Sequence, residues 1–260
     1  MTGEAVAAQL GWSGAKISRI ETARTLVTVA DLRKLLNLYG VTGAESERLE
    51  DLARTARQRG WWAMYAETLR PDQATYIGLE SEATAIYSYD AVIFSGLIQT
   101  EGYMRTLFNL VSNQISPGET ERRVQIRLTR QQRIHRANGS SIELVTIIDE
   151  SVLRHNVGGP DVMRDQLFHV LELADLPNIT VGVLPHSAGA HLGMAGAFKI
   201  FKFPHYMDPE VVYIEQLNSE LFIEDERYAY EYSLAFNDVR SKALDQDKSI
   251  AFIRQIAENL

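Results

Sequence analysis

The chain has 260 residues, a formal net charge of -8, 45% hydrophobic and 23% charged residues, and no cysteine. This composition suits a soluble globular protein of one or two domains with a sizeable core. The acidic balance argues against a protein that coats nucleic acid, and the lack of cysteine excludes disulfides, thiolate metal sites and cysteine nucleophiles. No stretch approaches 18 consecutive apolar residues, and no basic segment precedes an apolar run at the N-terminus, so neither a membrane helix nor a leader is expected and a cytoplasmic location is.

Residues 1–22, MTGEAVAAQLGWSGAKISRIET, carry the most information. Val6, Ala7 and Leu10 have the spacing of one buried helical face from Gly3 to Leu10. Gly11 breaks the run where a tight turn needs positive φ. Ser13 suits the N-cap of a second helix, Ser13–Thr22, whose Ile17 and Ile20 point inward. Two short helices joined in this way present the second to a DNA major groove. Its outward side would carry Ser13, Gly14, Ala15, Ser18 and Arg19. Candidate DNA contacts are Ser13, Lys16, Ser18, Arg19 and Arg24. Gly14 and Ala15 offer no bidentate contact to a base.

A third helix follows from Thr28, with Leu32, Leu35, Leu36 and Tyr39 on one face and a capping box between Thr28 and Asp31. Gly40 ends it. A fourth runs from about Ala44 to Arg59, with Leu49, Leu52, Ala53 and Ala56 inward and Gly60 as its stop. Residues 1–60 hold nine Lys/Arg against seven Asp/Glu, while the remainder holds 17 against 27. A weakly basic helical head, residues 1–62, thus precedes an acidic body, residues 71–260. Trp61 and Trp62 are expected to wedge one against the other.

In the body, 72–110 reads as helix, then an extended or bent stretch, then helix, and 119–137 as one long charged helix. Ile142–Ile148 and Ile179–Leu184 read as buried strands around a helix at Asp161–Leu173. Ala197–Phe203 and Val211–Ile214 are shorter strands, and helices near 226–243 and 246–259 close the chain. The fold class is α+β: a small all-helical head and a larger mixed domain with a mostly antiparallel sheet and flanking helices.

The loop HSAGAH places His186 and His191 five apart beside small residues, and Glu215 ends a later strand. Together they are a candidate ligand or catalytic group, with Gln99, Glu101 or Tyr103 as further walls, and Glu80 and Glu82 near them. The blander reading makes Thr100 and Glu101 the cap and first turn of a helix, and gives Asp149-Glu150-Ser151 the same role in another. The histidine spacing is a poor metal signature, so neither a metal nor a cofactor is expected. No phosphate loop and no hydrolase elbow is present.

The segment GEAVAAQLGWSGAKISRIET is similar to the lambda-repressor-like, Xre-type helix-turn-helix family. YIGLESEATAIYSYDAVIFSGLIQTEGY (76–103), DESVLRHNVGG (149–159), VMRDQL (162–167), VLPHSAGAH (183–191) and VVYIE (211–215) resemble the domain of unknown function attached to such heads in actinobacterial regulators. The resemblance implies a sequence-specific transcriptional regulator, a homodimer, whose larger domain senses a small-molecule effector or dimerises. Family heads place one more helix before the Thr-Gly-Glu position. Here that first helix is missing, and the face of Val6, Ala7, Leu10 and Ile17 is expected to lack cover. This departure, with Gly14, keeps a second reading open. In it the head no longer binds DNA, and the larger domain is a small-molecule binder or a cofactor-independent enzyme of the cyclase or isomerase type.

Overall fold

A computed structural model describes residues 1–21, 27–57, 62, 65, 69–110, 116–135, 141–204, 209–217 and 219–260. The backbone divides into two compact units, residues 1–63 and 64–260.

The first unit is helical: α1 (Gly3–Leu10), α2 (Gly14–Glu21), α3 (Val29–Tyr39) and α4 (Ala44–Arg57). Thr2 caps α1, its hydroxyl accepting from Ala5 N at 3.3 Å, and Thr28 caps α3, accepting from Asp31 N at 2.9 Å. Gly11 and Gly40 close α1 and α3 in the left-handed conformation, at φ 66° and 73°, which costs a glycine nothing in sterics. The face expected to be bare is covered. Val6, Ala7 and Ile17 are buried with Leu35 of α3, and Leu10, Trp12, Ile20, Val27 and Leu38 pack against them. Helix α3 supplies the apolar surface, a contact that local periodicity does not reveal. Leu52 and Tyr39, placed inward by spacing, are instead exposed. The side chain of Ala56 and the whole of Trp61 lie outside what is described, whereas Trp62 is half-buried.

The second unit is built on a six-stranded sheet. In chain order it holds α5 (Pro71–Glu82), β1 (Ala85–Asp90), α6 (Glu101–Leu110), α7 (Pro117–Gln131), β2 (Glu143–Asp149), α8 (Glu150–Arg154), α9 (Pro160–Ala174) and β3 (Ile179–Leu184). Then come β4 (Phe198–Lys202), β5 (Val211–Glu215), β6 (Glu220–Ile223), α10 (Glu226–Lys242) and α11 (Gln246–Glu258). The strand order is β3-β2-β1-β4-β5-β6. β1, β2 and β3 pair in parallel, and β4, β5 and β6 continue the sheet antiparallel. The sheet is therefore mixed, antiparallel in three of its five pairings.

The pleat sends alternate side chains to opposite faces. Tyr89, Val145, Ile147, Phe198, Ile200 and Val212 form one apolar layer, covered by Ala229, Phe236 and Val239 of α10. The opposite face carries Ser88, Asp90, Thr146, Lys199 and Tyr213, and this face is unusually polar. Ser88 Oγ donates to Thr146 Oγ1 at 3.0 Å, and Thr146 Oγ1 donates to Asp90 Oδ2 at 3.1 Å. Tyr76 of α5 packs edge-on against Phe201 and Tyr213.

Candidate functional site

Within the helical unit, the residues that fold α2 also decide which side of it stays open. Gly11 turns the chain, Trp12 N donates to Ala7 O at 2.8 Å, and Ser13 Oγ accepts from Lys16 N at 3.2 Å. Ile17, 2% exposed, anchors the inner side. Ser13, Gly14, Ala15, Ser18 and Arg19 are all exposed. Lys16 differs from them. Its ammonium lies 2.9 Å from Asp31 Oδ2 of α3 and 3.8 Å from the Trp12 ring centroid. The Lys16 hydrogen bond, opposed by slight burial, holds the Asp31 carboxyl below its ordinary range. Lys16 thus ties α2 to α3, and the capping box read at Thr28 is only half made, since the Asp31 side chain turns to Lys16. Arg24 lies outside the described residues.

In the sheet unit, parallel pairing brings the carboxyl ends of β1, β2 and β3 to one edge. His186 and His191 follow β3 there. The phenol of Tyr89 donates to Asp149 Oδ2 at 3.1 Å, and Asp149 Oδ1 accepts from Ser151 N at 2.9 Å. Burial, then Asp149, push the Tyr89 phenol well above the usual tyrosine range. The ring of His191 stands edge-on to Tyr89 at 5.7 Å, and the His186 ring lies 3.9 Å from Asp149 and 3.8 Å from Glu150. Glu150 Oε2 accepts from His186 N at 2.8 Å and Oε1 from Arg154 Nε at 2.7 Å. Burial works against the Glu150 charge, but these two donors outweigh it and hold its carboxyl low. The two histidines are therefore brought together through Tyr89 and Asp149. Asp149 at the same time caps α8, as the blander reading of the acids expects. Among the described residues no group of three or more metal-ligating side chains is present.

Glu215 is not part of that edge group. It ends β5, and β2, β1 and β4 lie between β5 and β3, a span of roughly 19 Å at the usual strand spacing. Glu215 belongs instead to the polar side of the sheet, where its charge acts on Arg127 and Lys199. Gln99 is on that side too, 1% exposed. Its Nε2 donates to Phe94 O at 2.6 Å, and its Oε1 accepts from Arg127 Nη1 at 2.6 Å. Tyr103 is fully buried against Phe94, and burial pushes its phenol up to about 12. Glu101 is exposed in the first turn of α6 and pairs with Arg105 at 2.7 Å. It plays the helix-start role, with Thr100 Oγ1 accepting from Tyr103 N at 3.4 Å. Glu80 is buried and gripped by both arms of Arg130, at 2.7 Å each, while Glu82 is exposed.

Comparison with known proteins follows this division of the chain. A profile described as a domain of unknown function (DUF5753) matches residues 73–255. The chain belongs to the DUF5753 family. A helix-turn-helix domain profile matches residues 1–49, covering α1 to α3 and the start of α4. The comparison with curated proteins gave no match. The protein is thus a helix-turn-helix head joined to a DUF5753 domain, as the resemblance of the sequence implies. Among the described residues no helix is long and apolar enough to cross a membrane.

Sequence reading passed over the residues at the heart of the DUF5753 sheet: Tyr76, Arg127, Arg130 and Lys199. Each lies in a segment that local spacing leaves unremarkable, and each gains its partners from segments far along the chain. One signal was present. YSYD alternates polar and aromatic residues with period two, as a strand does that packs different chemistry on its two faces.

Proposed function

We propose that this DUF5753 protein is a sequence-specific DNA-binding transcriptional regulator. Helix α2 enters the major groove, and residues 71–260 sense a small-molecule effector and pair two chains. One observation carries the reading: α2 is capped and anchored on its inner side while Ser13, Gly14, Ala15, Ser18 and Arg19 stand exposed on the other. The match of residues 1–49 to a helix-turn-helix domain supports it. Arg19 is the cation on that face suited to phosphate or a guanine edge. Lys16 acts indirectly, by holding the pitch of α2 against α3. Arg24, just beyond α2, is a further phosphate contact in this reading. A homodimer would present two copies of α2 to half-sites about one helical turn, or a multiple of it, apart. The concentration of buried polar groups on one face of the sheet supports a sensing role for the larger unit.

The test is selection of a binding site from random duplexes, followed by fluorescence anisotropy across a salt series. Wild type should bind the selected site, and Arg19→Ala should weaken it. If Arg19 contacts a phosphate, the slope of log K against log salt falls by about one. Absence of any selected sequence, or an affinity and slope unchanged by Arg19→Ala, would reject α2 as the reading element.

A further inference from the structure

On the polar side of the sheet, two cations flank Tyr76 and a third stands near them. Arg130 stands 4.8 Å from the Tyr76 ring centroid, and Lys199 5.1 Å from it, with Nζ 3.1 Å from the phenolic oxygen. Arg127, one turn before Arg130 on α7, stacks over Phe108 at 4.6 Å. Their partners are unequal. Arg130 holds both oxygens of Glu80 and is satisfied. Among the described residues Arg127 donates only to the neutral amide of Gln99, and its Nε is buried without a hydrogen-bond partner there. Lys199 meets the neutral phenol of Tyr76. Among the described residues no carboxylate lies within ion-pair distance of Arg127 or Lys199. Asp90, 4% exposed, is already occupied by Ser95 N at 2.8 Å and by Thr146. Both residues are half-buried, though the Arg127 Nε itself is sealed from solvent.

Burying a cation without a counter-charge is costly, as at Arg127, and a protein tolerates it where the counter-charge arrives as a ligand. At Lys199 burial also works against the charge, but Tyr76, Asp90 and Glu215 outweigh it. We infer that Arg127 and Lys199 form an anion-binding site, walled by Tyr76, Tyr213 and Gln99, for a small molecule bearing a carboxylate or phosphate. The guanidinium offers a planar set of donors, and the ammonium a point charge. The aromatic rings of Tyr76 and Tyr213 suit an apolar body behind the charged head. Glu215, exposed at the end of β5, acts electrostatically on both cations and competes with the ligand. Burial, then the neighbouring Arg130 charge, depress Arg127 to about 10, the strain that a bound anion relieves. This site deepens the sensing role proposed above, but the binding itself stands apart from DNA and is measured without it.

The experiment is isothermal titration of the full chain with inorganic phosphate and, separately, with benzoate, at constant ionic strength in chloride. Saturable binding of either is expected, and the tighter of the two tells a phosphate-bearing from a carboxylate-bearing ligand. Arg127→Gln and Lys199→Met should each weaken it at least tenfold, and Glu215→Gln should tighten it several-fold. Arg19→Ala should leave it unchanged while still impairing DNA binding. Titrations of wild type that show neither anion binding above chloride would overturn the site, as would binding that survives both cation substitutions. A folded Glu215→Gln protein with weakened binding would equally refute the competition. Anion binding without any DNA binding would sink the regulator reading and leave this site standing.

Discussion

Glu80 and Arg130 show how a buried ion pair behaves in this fold. Their side chains are 2% and 10% exposed, and the guanidinium grips the carboxylate with two bonds. Burial works against both charges, yet each partner outweighs it: Glu80 is held below its ordinary range and Arg130 above its own. Removing one member strands the other, at about 3–5 kcal/mol. Glu80→Ala should lose that much in urea unfolding. The double variant Glu80→Leu/Arg130→Leu should lose much less, because no charge remains to be stranded. A double variant as unstable as the sum of its singles would disprove the coupling. This pair also marks a limit of reading residues in isolation. In GLESEA, Glu80 reads with Glu82 as an acid near the candidate ligand group, and nothing near it in sequence announces an arginine on another helix 50 residues away. The exposed face of α2 was legible for the opposite reason. Its cap, its glycine turn and its inward isoleucines all lie within ten residues.

Among the elements, the segment joining β3 to β4 is tightly packed. It crosses the carboxyl ends of β2 and β1 and seats Gly193 against the apolar layer. A methyl group added at Gly193 would lie 2.7 Å from Tyr89 Cε1 and 2.8 Å from Val239 Cγ2. Gly193→Ala should therefore cost about 1–3 kcal/mol by overpacking. It should also disturb Tyr89, whose phenol donates to Asp149, and with it the ring of His191. Thermal unfolding checks the first effect; unchanged stability would show that β1 and α10 yield more easily than packed interiors do. Helices were easier to read than strands here. α9 and α11 lie where helices were read, at Asp161–Leu173 and near 246–259. β1 hid in an ambiguous stretch because its buried face includes Ser88 and Asp90, which are linked through Thr146. β6 escaped notice because it is short, at the sheet edge, and leaves Leu221 exposed.

The two units each have their own apolar interior, which bears on how the molecule comes apart. The helical unit is centred on Val6, Ala7, Ile17 and Leu35, the sheet unit on layers either side of β1 and β2. Residues 64–260 should accordingly fold when expressed alone, with a single cooperative transition and strand content kept in far-ultraviolet circular dichroism. A truncated protein without a cooperative transition would show that the sheet unit depends on residues 1–63.

The strand order has a further consequence, felt during synthesis. β1 sits inside the sheet, but one neighbour, β2, begins at Glu143 and the other, β4, at Phe198. Thr84 bonds to Lys202 across a separation of 118 residues. The ribosome therefore releases β1 long before either neighbour exists, whereas α1, α2 and α3 find their partners within forty residues. At ordinary elongation rates of about 5–20 residues per second, β1 stays unpaired on its β4 side for several seconds. Over that interval the nascent chain carries a finished head and an open strand edge, and β1 gains its second neighbour only when nearly four-fifths of the polypeptide has been made.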